Sequence, residues 1–439
     1  MTPLRVLFLS YSFPPIGGAE AQRNARLVRH LPEHGYEPVV LTGPGSPSWA
    51  PLDRSLRLDG VETYRVAGPE PAPSREWGRR AERWLRYPSA WQRWWDEQAR
   101  HTARHAVRVD LVHASLAPYD TAETALAVAR ALRRPLVVDL EHPWALDEMT
   151  TYPTRLHRSL DLLHMKRVLS AASAVVMNTP EAARRARALV PGKRVAVVPS
   201  GVEHDEFAGP AERGDGVFRI VHTGSFQTRL ALTLERFGAL HRILGGVIPG
   251  VDFLTRSHVY LLEALARVEQ DLRRPVELHL VGDLTPEDEA ALAHAPVPVR
   301  RHGYLPHEET VALIRTADLL FLPLHNVREG NRVAIVPHKT YEYLASGKPI
   351  LAAVPDGDAR DLLARSGTAV ICRPADVDGL ARGLARELRR WRAHIAAPYA
   401  NPSDLVAFEY KALTAQLAAV YDSVLRRPGR PAPADVAVG

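Results

Sequence analysis

Two short segments carry residues whose types and spacing suit chemistry on a phosphorylated ligand. The first is Val336-Pro337-His338-Lys339-Thr340-Tyr341-Glu342-Tyr343-Leu344-Ala345-Ser346-Gly347-Lys348-Pro349-Ile350. It reads as a loop, a helix, a glycine stop and a strand, so the first-turn amides around His338, Lys339 and Thr340 can face one phosphate together with the Lys339 ammonium. Glu342 lies a turn further in, where a carboxylate suits a ribose diol. The plainer alternative is a Glu342 that only favours the helix dipole and a solvated Lys339. The second segment is Phe13-Pro14-Pro15-Ile16-Gly17-Gly18-Ala19-Glu20. Gly17 and Gly18 at a strand-to-helix turn let backbone approach a ligand closely, although a tight turn asks for glycine anyway.

The elements that must position these segments repeat one unit. Val6 to Leu9, Pro38 to Thr42, Leu111 to His113, Leu136 to Leu140, Ala174 to Met177 and Val195 to Val198 are apolar, β-branched runs that read as strands buried on both faces. Helical patterns beginning near Ala19, Thr121, Thr154 and Pro180 separate most of them, which predicts parallel crossovers and a doubly wound sheet. A Gly/Pro/Asp/Glu-rich stretch from Pro199 to Gly216 marks the linker, and the rhythm resumes at Phe218, Val276, Val299, Leu319, Ile350 and Ala369. The expected organisation is a domain over residues 1–200, a second over 201–398, a helix over 402–425 returning to the first, and a disordered Pro/Ala/Gly-rich tail over 426–439.

With 439 residues, 46% hydrophobic and 24% charged, the chain is long enough for two cores and has the composition of a globular protein. Its formal charge of +6 comes from 56 basic residues, nearly all arginine and spread along the chain; no nucleic-acid motif accompanies them. Cys372 is the single cysteine, which excludes an intramolecular disulfide and a cysteine-rich zinc site and fits a reducing cytoplasm. No run approaches the roughly 20 apolar residues of a membrane span. Two segments break the pattern: residues 75–108, with Trp77, Trp84, Trp91, Trp94 and Trp95 among arginines, and an insertion over 226–255. An anionic membrane surface suits the first. Glu76, Glu82, Asp96 and Glu97 interrupt its basic run, however, so the favoured expectation is a long helix that buries its tryptophans against the first domain.

Taken together, the two segments resemble the glycogen-synthase-like retaining glycosyltransferases, glycosyltransferase family 4. Gly282-Asp283, Gly303-Tyr304-Leu305-Pro306 and Ala317 to Pro323 fall between them in that family's usual order. The resemblance covers residues 2 to about 395 and implies an α/β GT-B fold: two doubly wound, Rossmann-like domains with an interdomain cleft. It implies an acceptor-binding first domain and a second domain that binds a nucleoside-diphosphate sugar as co-substrate. Glu342 would hold the ribose, Gly303 and Tyr304 would lie beside the base, and Gly17 would approach the diphosphate.

Three departures from the family are visible. The first of its two glutamates is replaced by Ala334, with Glu329 a candidate substitute. Its Gly-Arg pair is Gly224-Ser225 here, its later lysine matches Arg256, and Arg229 is a candidate for the missing cation. On the acceptor side, His113-Ala114-Ser115 stands for a His-x-His, and Glu141-His142 lies where relatives have an Asp-x-Arg-Asp-Pro-Trp turn. His142, Arg256, Lys339 and Arg229 are therefore the expected catalytic side chains. No Asp-x-Asp pair stands ready to hold a divalent metal in the donor site, where basic residues would take over its charge-neutralising role, so no metal is expected. A nucleotide-sugar epimerase or another reaction on the same architecture, and a non-catalytic nucleotide-sugar-binding subunit, are the alternatives. Secondary metabolites, polysaccharides and lipid-linked compounds all remain open as acceptors, and peripheral membrane contact is compatible with a cytoplasmic protein.

Overall fold

The central apolar runs become strands because helices cover both faces of each sheet there, so β-strand residues in the middle of the sheets are almost all buried, while those at the edges are only partly so. The structure, a computed structural model, describes residues 2–45, 51–56, 58–72, 74–86, 88–105, 108–209, 216–268, 275–395 and 405–426. The chain divides into two units: Met1–Gly201 with Tyr410–Gly439, and Val202–Glu409. The expected tail over 426–439 lies, beyond Arg426, outside the described residues.

The first unit holds β1 (Leu4–Ser10), β2 (Tyr36–Thr42), β3 (Glu62–Arg65), β4 (Leu111–Ser115), β5 (Leu136–Leu140), β6 (Ala174–Met177) and β7 (Val195–Val197), in the order β3-β2-β1-β4-β5-β6-β7. The second holds β8 (Phe218–Thr223), β9 (Val276–Val281), β10 (Val299–Gly303), β11 (Leu319–Pro323), β12 (Ile350–Ala353) and β13 (Ala369–Cys372), in the order β10-β9-β8-β11-β12-β13. All pairings within these sheets are parallel. Strand order reverses beside β1 and beside β8, so each sheet opens a crevice at the carboxyl ends of its strands there. The doubly wound architecture expected from the sequence is present in both units.

Of the thirteen strands, β3 escapes sequence reading. Glu62-Thr63-Tyr64-Arg65 is short and polar, and it pairs only with β2 at the sheet edge. The tryptophan-rich stretch also differs from expectation. It forms two helices, Glu76–Leu85 and Ala90–Ala103, because Arg86 adopts a left-handed conformation (φ 51°) and Ser89 caps the second helix by accepting from the Gln92 N–H. Trp95 is fully buried and donates from Nε1 to Thr121 Oγ1 at 3.2 Å, while Trp77 and Trp84 are exposed. Residues 226–255 supply two further short helices, Thr228–Arg236 and Gly238–Leu244.

The helix Tyr410–Leu425 completes the first unit. Leu413, Leu417 and Tyr421 are fully buried in one cluster with Val6, Phe8, Leu27 and Val137. The Tyr421 ring meets Tyr36 edge-on at 5.2 Å, and the Tyr36 hydroxyl donates to Asp422 at 2.6 Å. Truncating a leucine in such a site removes contacts that the surroundings only partly restore. Leu417→Ala should therefore destabilise the first unit by about 2–5 kcal/mol, read as an earlier urea transition. An unchanged midpoint would show that the helix is not integral to that core.

Candidate functional site

In the second unit three chain turns meet without side chains. Gly224, Gly282 and Gly303 follow or end β8, β9 and β10 with φ of 92°, 119° and 64°. The Gly224 N–H donates to Val281 O and the Gly282 N–H to Gly303 O, both at 2.7 Å. A Cβ on Gly282 would lie 3.1 Å from the Gly224 carbonyl carbon, so only glycine packs there without displacing its neighbour. Gly224 and Ser225 remain exposed, and Tyr304 beside Gly303 is half-buried.

The helix His338–Ala345 hangs over these turns. Its Tyr343 hydroxyl accepts the N–H of Thr223, the last residue of β8, at 2.9 Å. That anchor carries Lys339 over Gly224, where a Cβ would stand 2.8 Å from the Lys339 Nζ. Beneath Lys339 lies His222, buried and stacked on Phe226 at 4.3 Å. His222 Nδ1 is 3.0 Å from the carbonyl oxygen of Phe321, which can only accept, so the network assigns the ring proton to Nδ1. Nε2 then turns its lone pair toward Lys339 Nζ at 3.4 Å. Burial, followed by the charge of Lys339, holds His222 well below the usual histidine range and keeps the ring neutral.

Lys339 is itself perturbed. Burial, followed by the nearby Arg256 charge, lowers its pKa to about 7 against the opposing pull of Glu342. Glu342 is only 6% exposed. Burial raises its carboxyl, but the hydrogen bond and charge of His338 and the charges of His307 and Lys339 outweigh this and hold it below the usual range. His338 Nδ1 and His307 Nδ1 stand 3.4 and 3.7 Å from Glu342 Oε1, and His307 also reaches Glu206 at 2.8 Å. An ionised carboxylate thus sits one turn behind a cation poised near neutrality, with Thr340 fully buried between them.

The first unit places another group at the carboxyl ends of β1, β4 and β5. Gly18 starts the helix Ala19–His30 with φ 105° and nothing within 4 Å of a built Cβ, so backbone conformation alone demands glycine. The Gly17 N–H donates to Pro51 O at 2.8 Å. Ser115 Oγ donates to Glu20 Oε1 at 3.3 Å, and burial, followed by the Glu141 charge, pushes the Glu20 carboxyl well above the usual range. His142, next in the chain to the buried Glu141, is exposed. His113 stacks on Phe8 and is fully buried; its Nε2 is 3.6 Å from Asp139, which holds Arg23 at 2.7 Å. Burial drops the His113 pKa to about 4, and no part of the ring reaches solvent.

Residues 17–201 match the family described as Glycosyl transferase 4-like domain, and residues 250–396 match Glycosyl transferases group 1. The chain belongs to the GT-B glycosyltransferases. The same fold is seen in the sucrose-phosphate synthase of Thermosynechococcus elongatus, at 16% identity and a TM-score of 0.66 over 96% of this chain and 99% of that one. Anabaena HepE in complex with UDP-glucose matches at 16% identity and a TM-score of 0.59, over 96% of this chain and 100% of that one. A candidate UDP-N-acetylglucosamine 2-epimerase from Listeria monocytogenes matches at 13% identity and 0.56, over 99% and 100%. No curated protein matches the chain.

Within this glycosyltransferase the structure brings Lys339, Gly224, Glu342 and His338 together and sets Arg256 within electrostatic reach of Lys339. Arg229 instead pairs with Glu287 at 2.9 Å. Ala334 is fully buried, and the exposed Glu329 lies 3.4 Å from Arg373. His222, His307, Tyr343 and Glu20 were not singled out from sequence, although His222 is legible as a polar residue near a strand's carboxyl end. Tyr343→Phe should cost about 1–3 kcal/mol, because it strands the buried Thr223 N–H. Equilibrium unfolding that shows no loss would remove this anchor.

Proposed function

We propose that this glycosyltransferase takes a sugar from a nucleoside-diphosphate donor held by the second unit and passes it, with retention of configuration, to an acceptor hydroxyl. The observation that carries the proposal is the Lys339 ammonium suspended over the Gly224 turn, with the ionised Glu342 one helical turn away. A cation and free helix amides suit a diphosphate, and the carboxylate suits the ribose. Ser225, His338 and Thr340 complete the phosphate side, and Gly303 with Tyr304 takes the base. UDP-glucose in the Anabaena relative supports a donor of this class.

As the anomeric C–O bond breaks, its electron pair passes to the diphosphate, and Lys339 and Arg256 stabilise the growing charge. The acceptor oxygen bonds to the anomeric carbon on the same face, and its proton passes to the departing phosphate. These two cations perform the charge neutralisation, so the proposed reaction is metal-independent. Glu141, Ser115 and His142 are the acceptor-facing groups of the first unit; secondary metabolites, polysaccharides and lipid-linked compounds are the acceptor classes.

A thermal-shift panel of nucleotide-sugars identifies the donor, since ligand at 100 times its Kd stabilises by about 2.7 kcal/mol. Product analysis then separates transfer from epimerisation, and a chain that binds donor without turning it over would be a binding subunit. With the donor known, Lys339→Ala and Arg256→Ala should each lower kcat by about 10²- to 10³-fold with a smaller change in KM, and chelation should leave wild-type turnover intact. Chelator-sensitive activity with silent variants would overturn the two-cation mechanism.

The Lys339 pKa gives a separate test. Bound diphosphate favours the ammonium form, so binding above pH 7 takes up a proton. Affinity for the nucleoside diphosphate should be fully present below about pH 7. It should then fall by up to about tenfold per pH unit as pH rises toward the bound-state pKa. Lys339→Arg should flatten that dependence, because guanidinium stays charged. Calorimetry in buffers of different ionisation enthalpy measures the uptake directly, and none at pH 8 would place Lys339 away from the diphosphate.

A further inference from the structure

The two helices of the tryptophan-rich stretch treat their apolar residues in opposite ways. Ala90–Ala103 buries Trp95, whereas Glu76–Leu85 leaves Trp77 84%, Trp84 51% and Leu85 77% exposed. Beside it, the helix Arg155–Ala171 exposes Leu156 (64%), Leu160 (38%) and Leu163 (61%), spaced four and three apart and therefore on one face. The two helices are joined. His157 Nε2 lies 2.9 Å from Trp84 O, Arg86 donates to His157 O at 3.1 Å, Arg83 donates to Thr151 O at 2.9 Å, and the Trp84 and His157 rings meet edge-on.

Six large apolar side chains thus remain in water on adjoining helices, more than scattered surface residues explain. Cations are interspersed with them: Arg75, Arg79, Arg83, Arg86, Arg155 and Lys166 are all exposed. The nearby described acids are each engaged within the protein, and Glu123 pairs with His164 at 2.7 Å and with Arg167. Glu82 is half-buried and accepts from Ser74 at 2.6 Å, and Asp161 accepts from Trp144 Nε1 at 3.1 Å and the Tyr152 hydroxyl at 2.7 Å.

We propose that this face of the first unit docks on an anionic lipid bilayer. Trp77, Trp84, Leu85 and the leucine row enter the headgroup boundary, and the arginines meet lipid phosphates. Tryptophan suits that boundary because an indole is apolar with one polar N–H, and arginine because its planar fork matches phosphate. The exposed charges described on these two helices are all cationic, which an anionic lipid surface complements. Glu76–Leu85 spans about 15 Å at 1.5 Å per residue, half a hydrocarbon core, so it lies in the interface plane. This docking is independent of the sugar-transfer reaction, which stands or falls by its own tests.

The full chain should be sedimented with phosphatidylcholine vesicles carrying about 30% phosphatidylglycerol or none. Binding should appear only with the anionic vesicles and weaken as salt rises from about 50 to 300 mM. The pairs Trp77→Ser/Trp84→Ser and Leu160→Ser/Leu163→Ser should each reduce binding at least tenfold, and Arg75→Gln/Arg79→Gln several-fold. Arg382→Gln, an exposed site in the second unit, should have no effect. All variants should keep the wild-type nucleotide-induced thermal shift, which reports on the second unit, and the wild-type unfolding midpoint. Lack of wild-type binding at low salt would overturn the proposal. So would binding insensitive to both apolar pairs, or a wild-type dimer that these pairs dissociate without changing vesicle binding.

Discussion

A positive charge held where burial and a second cation both oppose it is the centre on which the second unit turns. Lys339 keeps its place because the helix that carries it is bolted to the end of β8 through Tyr343, and because neutral His222 offers it a lone pair from below. Remove glycine at 224 and the ammonium has no room; make His222 charged and it has no support. The incoming phosphates of a donor supply the partner that the protein itself supplies only in part, through Glu342. A site of this kind is arranged for an anion more than for its own stability.

The first unit resolves a similar conflict differently. Asp139 is buried with Arg23, whose other terminal nitrogen donates to the Val198 carbonyl, so that buried charge is neutralised within the protein. Glu20 and Glu141 have no such cation of their own at hydrogen-bonding distance among the described contacts, and burial with the Glu141 charge pushes the Glu20 carboxyl well above the usual range. Two sheets of the same design thus present opposite electrostatic faces at their strand ends. One gathers cations around glycine turns, and the other gathers carboxyl and hydroxyl groups.

Much of this was legible in the sequence, for identifiable reasons. Central strands covered on both sides leave continuous apolar, β-branched runs and are legible that way; β10, an edge strand with Arg300 and Arg301 exposed, is placed by the recurring strand-helix rhythm, and β3, four alternating polar residues at an edge, offers neither signal. Lys339 and Glu342 were visible because a helix start after a loop fixes where first-turn residues point. The contributions of His222, His307 and Tyr343 depend on side chains from different elements converging, which spacing along one element cannot show. His113 illustrates the reverse limit. A histidine in a strand whose end faces a ligand crevice reads the same whether it looks outward or, as here, packs against Phe8.

The return of the helix Tyr410–Leu425 to the first unit has a consequence for synthesis. The ribosome must make the whole of Val202–Glu409 after the first unit's sheet is complete and before the helix that finishes its core exists. At about 5–20 residues per second, that leaves Val6, Phe8 and Leu27 without their last neighbours for roughly 10–40 s. Through that interval the nascent first unit carries an open apolar seam that only the last helix to be made can cover.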